Sequence, residues 1–242
     1  MGRCLVDKAK IIYNMANKCD YNFIRICSEN FDLKDPIYEF GAYQIRGQEG
    51  FSDCRTFFPG KKYIGTDTNM GPGVDEIRDI SRSGFESESI DTIISTNTIE
   101  HLEYPREAVQ EMFRILKKDG TFIITSVMDH TIHNWPNDYW RFTPECLKSL
   151  LKDFKTSFVE FSGDPLLPKI VAGIGWKQEI KIPNKFLSDI QQWKKDFRYL
   201  PMSFGLHVKR FIPPIITDFY DKNLYKPLWR IRRKVLNKVR IG

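Results

Sequence analysis

Several features that would assign the chain to a specialised class of protein are scarce in its sequence. The 242 residues contain five cysteines, an odd number, and no C-x-x-C pair. We therefore expect neither a disulfide framework nor a zinc ribbon, and a reducing cytosol is the expected compartment. No run approaches the roughly 20 apolar residues of a membrane span. The N-terminal segment lacks the apolar core and cleavage site of a secretion signal.

Positive and negative charges are nearly balanced along the chain, except in its C-terminal segment. The formal net charge is +6, but residues 226–242 alone hold seven Lys or Arg and no acid. The rest of the chain therefore carries a net charge of about −1. We expect no general nucleic-acid binding by the main part of the chain, because such binding needs a broad basic surface.

The basic C-terminal segment has the pattern of an amphipathic helix. Its apolar residues fall near one helical face, namely Leu228, Ile231, Val235, Leu236 and Val239. This pattern is typical of a helix on an anionic membrane surface, so one interpretation of residues 226–242 is peripheral contact with the inner face of a membrane. One alternative is a terminal helix that packs its apolar face on the domain. Another is a nucleic-acid-binding tail, which is disfavoured because Trp229 is the only aromatic residue available for stacking.

Four short apolar runs predict the strands of a sheet. They are residues 36–41, 62–67, 90–96 and 120–127. Such nearly continuous runs fit strands that are covered on both faces, as in a parallel sheet. A helix is predicted between the last two runs, from Pro105 to a stop at Gly120. Its apolar face is formed by Val109, Met112, Phe113 and Leu116, a spacing that defines one side of a helix.

The remaining segments extend this pattern. Helices are predicted over residues 4–17 and 144–152, and strands over residues 157–163 and 169–177. The last two strands are joined at Asp164-Pro165, which predicts an antiparallel hairpin. A closing hairpin is unlike a plain dinucleotide-binding fold, which ends in parallel strands. The signal weakens from about residue 178, where we expect helices and loops packed on the domain.

Polar and small residues stand where the predicted strands end. The candidate binding residues are Glu39, Gly41, Asp67, Asp79, Ile80 and Thr96. Open α/β sheets bind ligands at the carboxyl edge of their strands. A glycine such as Gly41 lets the backbone approach a ligand closely, and an acid at the position of Asp67 can accept hydrogen bonds from both ribose hydroxyls of an adenosine. Asp79 is placed to bind an exocyclic amine.

The chain resembles the type-11 branch of class I S-adenosylmethionine-dependent methyltransferases over about residues 36–177. The resemblance is carried by the ordered series IYEFGA, YIGTD, RDI, IDTIISTNTIEHL and FRILKKDGTFIITSV. It implies an α/β three-layer sandwich whose seven-stranded sheet is mostly parallel, with the last strand antiparallel. It also implies a methyltransferase domain over residues 1–180, and a helical and loop extension with a basic tail over residues 181–242.

The same resemblance implies S-adenosylmethionine as the cofactor and a role for each candidate binding residue. Glu39 and Gly41 would lie by the methionine part and Asp67 on the ribose. Asp79 and Ile80 would lie by the adenine, and Thr96 under the sulfonium. One departure is that the loop after Gly41 is longer and poorer in glycine than the G-x-G-x-G of such families.

A second distinctive segment, DHTIHNWPNDYWRFTPE at residues 129–145, follows the strand at 120–127. It is similar to a stretch of methyltransferases found with bacterial surface-glycan genes, as are GPGVD (71–75) and VAGIGWK (171–177). This resemblance implies a sugar hydroxyl as the methyl acceptor and a place in polysaccharide biosynthesis. The aromatic residues of the 129–145 segment either pack in the fold or stack on a sugar ring. They are Trp135, Tyr139 and Trp140.

The same segment supplies the candidate catalytic residues. A sugar hydroxyl must lose its proton as it attacks, and His133 or His130 has an ordinary pKa near 6.5 that suits this base. Asp138 can orient the histidine. Arg141 is either a clamp for a phosphate on the acceptor or a structural partner of a carboxylate. Both histidines can equally be structural loop residues. We predict no metal site, because H-x-x-H spacing alone is weak evidence.

Four other functions are compatible with parts of the pattern. A nicotinamide-dependent dehydrogenase is disfavoured because the sequence has no Tyr-x-x-x-Lys pair and no G-x-G-x-x-G after the first strand. A nucleic-acid base methyltransferase is disfavoured because residues 95–98 read Ser-Thr-Asn-Thr instead of an Asn- or Asp-Pro-Pro-aromatic motif. A non-catalytic binding module of the same fold, or a methyltransferase for another small molecule, remains an alternative.

Overall fold

The computed structural model describes residues 19–44, 50, 53–133 and 137–198. Residues 19–30 are helical and form α1. Three further helices are α2 (Pro105–Ile115), α3 (Pro144–Leu150) and α4 (Asn184–Asp196). The strands are β1 (Ile37–Phe40), β2 (Tyr63–Asp67), β3 (Glu76–Ile77), β4 (Ile90–Thr96), β5 (Leu116–Val127), β6 (Thr156–Asp164) and β7 (Leu167–Trp176). Short 3-10 helices cover Cys54–Phe57 and Ile99–His101. The helix predicted over residues 4–17 lies outside the described ranges.

The strands form one seven-stranded sheet in the order β3-β2-β1-β4-β5-β7-β6. The pairs β1–β2, β1–β4, β2–β3 and β4–β5 are parallel. The last strand, β7, inserts antiparallel between β5 and β6, and a tight turn at Asp164-Pro165 joins it to β6. The predicted fold, with a mostly parallel sheet and an antiparallel last strand, is confirmed.

Helices cover both faces of the sheet, which explains the continuous apolar strands. Successive residues on β4 point to opposite sides, so Ile93 belongs to one hydrophobic core and Ile94 to the other. The first core contains the buried faces of α2 and α3, and the second contains those of α1 and α4. The architecture is therefore a three-layer sandwich.

The boundary between α2 and β5 differs from the prediction. The helix ends at Ile115, and Leu116 is already extended, with φ −66° and ψ 133°. Gly120 therefore lies inside β5 and does not stop the helix. A Cβ at this position would stand 2.8 Å from the carbonyl oxygen of Asp91, so Gly120 is needed for the close approach of β5 to β4.

Two other elements carry too little local signal to be predicted. The strand β3 has only two residues and pairs with the end of β2, a length at which alternation cannot be recognised. The helical residues 19–30 include Phe23, Ile24 and Cys27, all fully buried.

Within the described ranges, no helix is both long enough and apolar enough to cross a membrane.

Candidate functional site

A cleft of about 700 Å³ lies at the carboxyl edge of the parallel strands. It is lined by residues at the ends of β1, β2 and β4 and by residues of the loop that follows β5. Eight of the predicted site residues line it, namely Glu39, Gly41, Asp67, Asp79, Ile80, Thr96, His130 and His133. The topology explains this convergence, because parallel strands end at the same edge of a sheet.

Glu39 lies at the floor of the cleft, on β1, which is an interior strand of the sheet. Its carboxylate accepts hydrogen bonds from the Tyr63 hydroxyl at 2.8 Å and the Thr96 hydroxyl at 3.3 Å. Burial raises the pKa of Glu39, while these two donors favour its ionised form. A buried carboxylate in this position attracts a cationic group such as an α-amino group.

Gly41 follows Glu39 and allows the backbone to form the wall of the cleft. Its φ is +86°, and a Cβ would stand 1.9 Å from Oγ1 of Thr98. The Thr98 hydroxyl is held by the carbonyl oxygens of Thr96 and Phe40, at 3.0 and 3.3 Å. Because this hydroxyl donates its single hydrogen to these two acceptors, moving it away would break those bonds, and the position requires glycine.

Two acids, at the end of β2 and after β3, lie on the side of the cleft formed by these two strands. Asp67 ends β2, and its Oδ1 accepts a hydrogen bond from the backbone amide of Asn69 at 2.9 Å. Asp79 is exposed, and its Oδ1 accepts from the amide of Ser81 at 2.7 Å. Ile80 beside it is 5% exposed and packs into the first core. The cleft thus offers two carboxylates and an apolar wall to a nucleoside.

The opposite end of the cleft carries three imidazoles. The His133 ring centroid lies 4.4 Å from that of His130 and 4.8 Å from that of His101. Burial lowers the pKa of both His130 and His133, which favours the neutral, proton-accepting form at neutral pH. The sequence predicted His130 and His133 as candidate catalytic residues, whereas His101 was not among the predicted site residues.

Asp138 and Arg141 stand behind these imidazoles and brace the loop. The guanidinium of Arg141 binds both oxygens of Asp138, at 2.5 and 2.7 Å, and holds the pKa of this carboxyl well below its usual range. Asp138 also accepts from the backbone amide of His133 at 2.7 Å. Arg141 further donates to the carbonyl oxygens of His130 and Thr131. This geometry favours the structural alternative for Arg141 over a phosphate clamp.

Of the three aromatic residues predicted to pack or to stack on a sugar, Tyr139 and Trp140 are described, and Trp135 lies outside the described residues. Tyr139 lines the cleft with 47% of its surface exposed. Trp140 is 45% exposed, and its indole nitrogen donates to the carbonyl oxygen of Glu103 at 3.3 Å. An exposed ring at the mouth of a cleft is a surface on which a sugar can stack.

Three charged residues of the cleft were missed by sequence reasoning, and two of them, Glu100 and Asp20, are buried. Glu100 is fully buried, and its backbone carbonyl accepts the amides of Tyr139 and Trp140 at 2.9 and 3.2 Å. Asp20 comes from α1, where burial raises its pKa to about 8. Lys169 is the third. Glu100 stands in the IEHL motif and could have been found there, but Asp20 belongs to a helix that carried no signal.

Comparison with known proteins agrees with this architecture. Residues 68–124 match a protein family described as a methyltransferase domain. No curated protein matches the sequence.

Two solved structures share the fold at low sequence identity. One is an S-adenosylmethionine-dependent methyltransferase, a possible histamine N-methyltransferase, from Thermotoga maritima. It is 17% identical, with 72% of this chain and 96% of that chain covered and a TM-score of 0.51. The other is the methyltransferase bound to the Trm112 methyltransferase activator of Haloferax volcanii. It is 14% identical, with the same shares covered and a TM-score of 0.52. The two structures therefore share the fold of this chain, and residues 68–124 add the match to a methyltransferase domain.

Proposed function

We propose that the chain methylates a hydroxyl group of a sugar, either free or carried by a nucleotide or a lipid, in the synthesis of a surface polysaccharide. The observation that carries the proposal is the group of imidazoles at one end of the cleft, beside the exposed ring of Tyr139. The resemblance of residues 129–145 to methyltransferases found with glycan genes supports the same acceptor. A polar, aromatic-edged end of a cleft suits a sugar, which offers hydroxyls and an apolar ring face.

The residues of the cleft fit the cofactor. Bound S-adenosylmethionine supplies a methyl group activated on a sulfonium. In our proposal Glu39 and Gly41 hold the methionine part, Asp67 the ribose, and Asp79 with Ile80 the adenine. The support is that these five residues line one cleft at the carboxyl ends of the strands, where open α/β sheets bind ligands.

The ring nitrogens of the loop histidines are suitably arranged for removing the acceptor proton. Nδ1 of His130 lies 2.9 Å from the carbonyl oxygen of Thr131, and Nδ1 of His133 lies 3.1 Å from the same oxygen. A carbonyl only accepts hydrogen bonds, so each Nδ1 carries the proton and each Nε2 keeps its lone pair. We propose that one of the two Nε2 atoms takes the proton of the attacking hydroxyl, while Asp138 and Arg141 hold the loop.

The cofactor assignment is tested by the variant Asp67→Ala. We expect weaker binding of S-adenosylmethionine, by roughly 1.5–3 kcal/mol for each charged hydrogen bond lost, measured by isothermal titration calorimetry. Asp119→Ala is the matched control, because Asp119 pairs with Lys34 on the exposed surface and is not among the residues that line the cleft. The assignment is wrong if Asp67→Ala binds the cofactor as tightly as the wild-type protein.

The base assignment is tested by His130→Ala and His133→Ala, assayed with a sugar acceptor. Loss of a general base typically lowers kcat by about 10²- to 10⁴-fold. We expect that loss in at least one variant, with the affinity for S-adenosylmethionine unchanged as the control. Wild-type kcat in both variants across pH 6 to 9 would exclude either histidine as the base.

A further inference from the structure

The structure assigns a divalent-metal site to Glu100, His101 and His133, at the imidazole end of the cleft. One ligand atom from each residue can be chosen so that all three lie within 4.8 Å of one another. Glu100 and His101 belong to the 3-10 helix after β4, and His133 to the loop after β5. The three residues meet only in the fold, which is why the sequence, judged by H-x-x-H spacing, predicted no metal site.

The two histidines make the hydrogen bonds that metal-ligating histidines make. Nδ1 of His101 lies 2.5 Å from the carbonyl oxygen of Asn137. Nδ1 of His133 lies 3.1 Å from the carbonyl oxygen of Thr131 and 3.3 Å from Oδ2 of Asp138. These partners can only accept, so the ring protons sit on Nδ1 and both Nε2 atoms keep a lone pair. Metal-ligating histidines have this arrangement, with the second nitrogen donating to a carbonyl or carboxylate.

Glu100 provides the independent observation that a cation belongs here. Its Oε2 accepts a hydrogen bond from the Ser126 hydroxyl at 2.7 Å. Its Oε1 is buried and has no hydrogen-bond partner in the described part of the chain. A buried carboxylate oxygen without a partner is costly, and a metal ion bound between Oε1 and the two imidazoles would remove that cost.

The ligand set indicates which metal would bind. Two imidazoles and one carboxylate favour a first-row divalent ion such as Zn²⁺ over Mg²⁺ or Ca²⁺, which prefer oxygen. Ligands about 2.1 Å from a common ion lie roughly 3–4 Å apart, so a separation of up to 4.8 Å would have to shrink by about an ångström on binding. Three protein ligands leave positions open, as in catalytic sites.

A metal in this place would deepen the proposed function. An acceptor hydroxyl bound at an open position would lose its proton more easily, because a divalent ion lowers the pKa of a coordinated oxygen acid. His133 would then be a ligand, and His130 would be left to receive the proton. This catalytic role rests on the proposed function, whereas the binding site itself does not.

Binding is tested on the metal-free full chain, without a histidine tag, titrated with Zn²⁺ by calorimetry and with Co²⁺ by visible absorption. We expect one ion per chain and a Co²⁺ spectrum with nitrogen ligands. Glu100→Gln and His133→Ala should each weaken binding at least tenfold. Glu103→Gln, which removes a neighbouring exposed charge of the cleft, should bind as the wild-type protein does.

The outcomes separate the site from the function. A cooperative thermal transition in Glu100→Gln, unshifted by Zn²⁺ where the wild-type transition rises, supports the site and shows that the variant folds. Absence of binding by the wild-type protein, or unchanged binding by Glu100→Gln, overturns the site. Full methyl transfer by the metal-free protein in EDTA overturns the catalytic role alone. One-to-one binding by a protein that methylates no sugar leaves the site in place and removes the proposed function.

Discussion

At the scale of single residues, Gly41 and Gly60 separate two reasons for which a position requires glycine. Both have positive φ, +86° at Gly41 and +78° at Gly60, a conformation that residues with a Cβ rarely adopt. A Cβ at Gly60 would meet nothing within 4 Å, whereas one at Gly41 would overlap the Thr98 hydroxyl. Of these two glycines, Gly41 is therefore constrained both by the surrounding space and by its backbone conformation.

This difference predicts unequal costs for two alanine variants. Gly60→Ala should destabilise the protein by about 1–2 kcal/mol through its backbone conformation alone. Gly41→Ala should add about 1–3 kcal/mol of overpacking and should also weaken binding of S-adenosylmethionine. Urea unfolding and calorimetry measure the two effects. Equal losses of stability in the two variants would contradict the close contact between Gly41 and Thr98.

Individual cleft residues were the part of the site that the sequence predicted best. The acids and small residues at the strand ends could be named in advance, because a strand has a recognisable end and its direction is set by the fold. The partners of each residue could not be named. Arg141 offered two roles from its chemistry alone, and only its contacts with Asp138 favour one of them.

At the scale of elements, α4 shows how a helix from the poorly patterned end of the chain contributes to the cleft. Phe186, Ile190 and Trp193 are buried on one face, at helical spacing. The indole nitrogen of Trp193 donates to the carbonyl oxygen of Cys19 at 3.0 Å, and its ring packs against Phe23. The helix α4 therefore anchors α1 at Cys19. The next residue of α1, Asp20, lines the cleft.

We expect Trp193→Ala to lower the free energy of unfolding by about 3–5 kcal/mol, since it leaves a large cavity in the second core. The matched control is Leu187→Ala on the same helix, where the side chain is 40% exposed and the loss should stay within about 0.5 kcal/mol. Chemical denaturation monitored by circular dichroism measures both. Similar losses in the two variants would mean that α4 does not pack as described.

At the scale of the whole molecule, charge is divided unevenly along the chain. Residues 226–242 carry seven basic side chains and lie outside the described residues, so their amphipathic pattern is still a prediction. We propose that this segment holds the protein at the cytoplasmic face of an anionic membrane. Such a location would suit a lipid-linked acceptor.

Flotation with vesicles tests this proposal. Each basic residue near an anionic surface contributes about 1 kcal/mol, so the full chain should float with vesicles that contain anionic lipid at low salt and should be released at high salt. Truncation after residue 225 should abolish flotation and leave the affinity for S-adenosylmethionine unchanged. The membrane proposal is abandoned if the full-length protein stays in the lower fraction at low salt.

Much of the architecture followed from the sequence by itself. Apolar runs, helical spacing from Pro105 and the Asp164-Pro165 turn each specify local backbone geometry, so six of the seven strands and the helices α2 and α3 could be located. The order of the acids along the chain then indicated the ends of those strands. These are local properties, since periodicity and turn chemistry act within about ten residues.

Only the tertiary structure decided which distant residues meet. Glu100, His101 and His133 come from two separate segments, and Asp20 reaches the cleft from α1. No periodic pattern records such encounters, because they depend on sheet order and on how loops pack after the strands have paired. The path of the loop after β5 is held by the Asp138–Arg141 pair and by the backbone of Glu100. Its histidines acquire their neighbours, and hence their chemistry, from those long-range contacts.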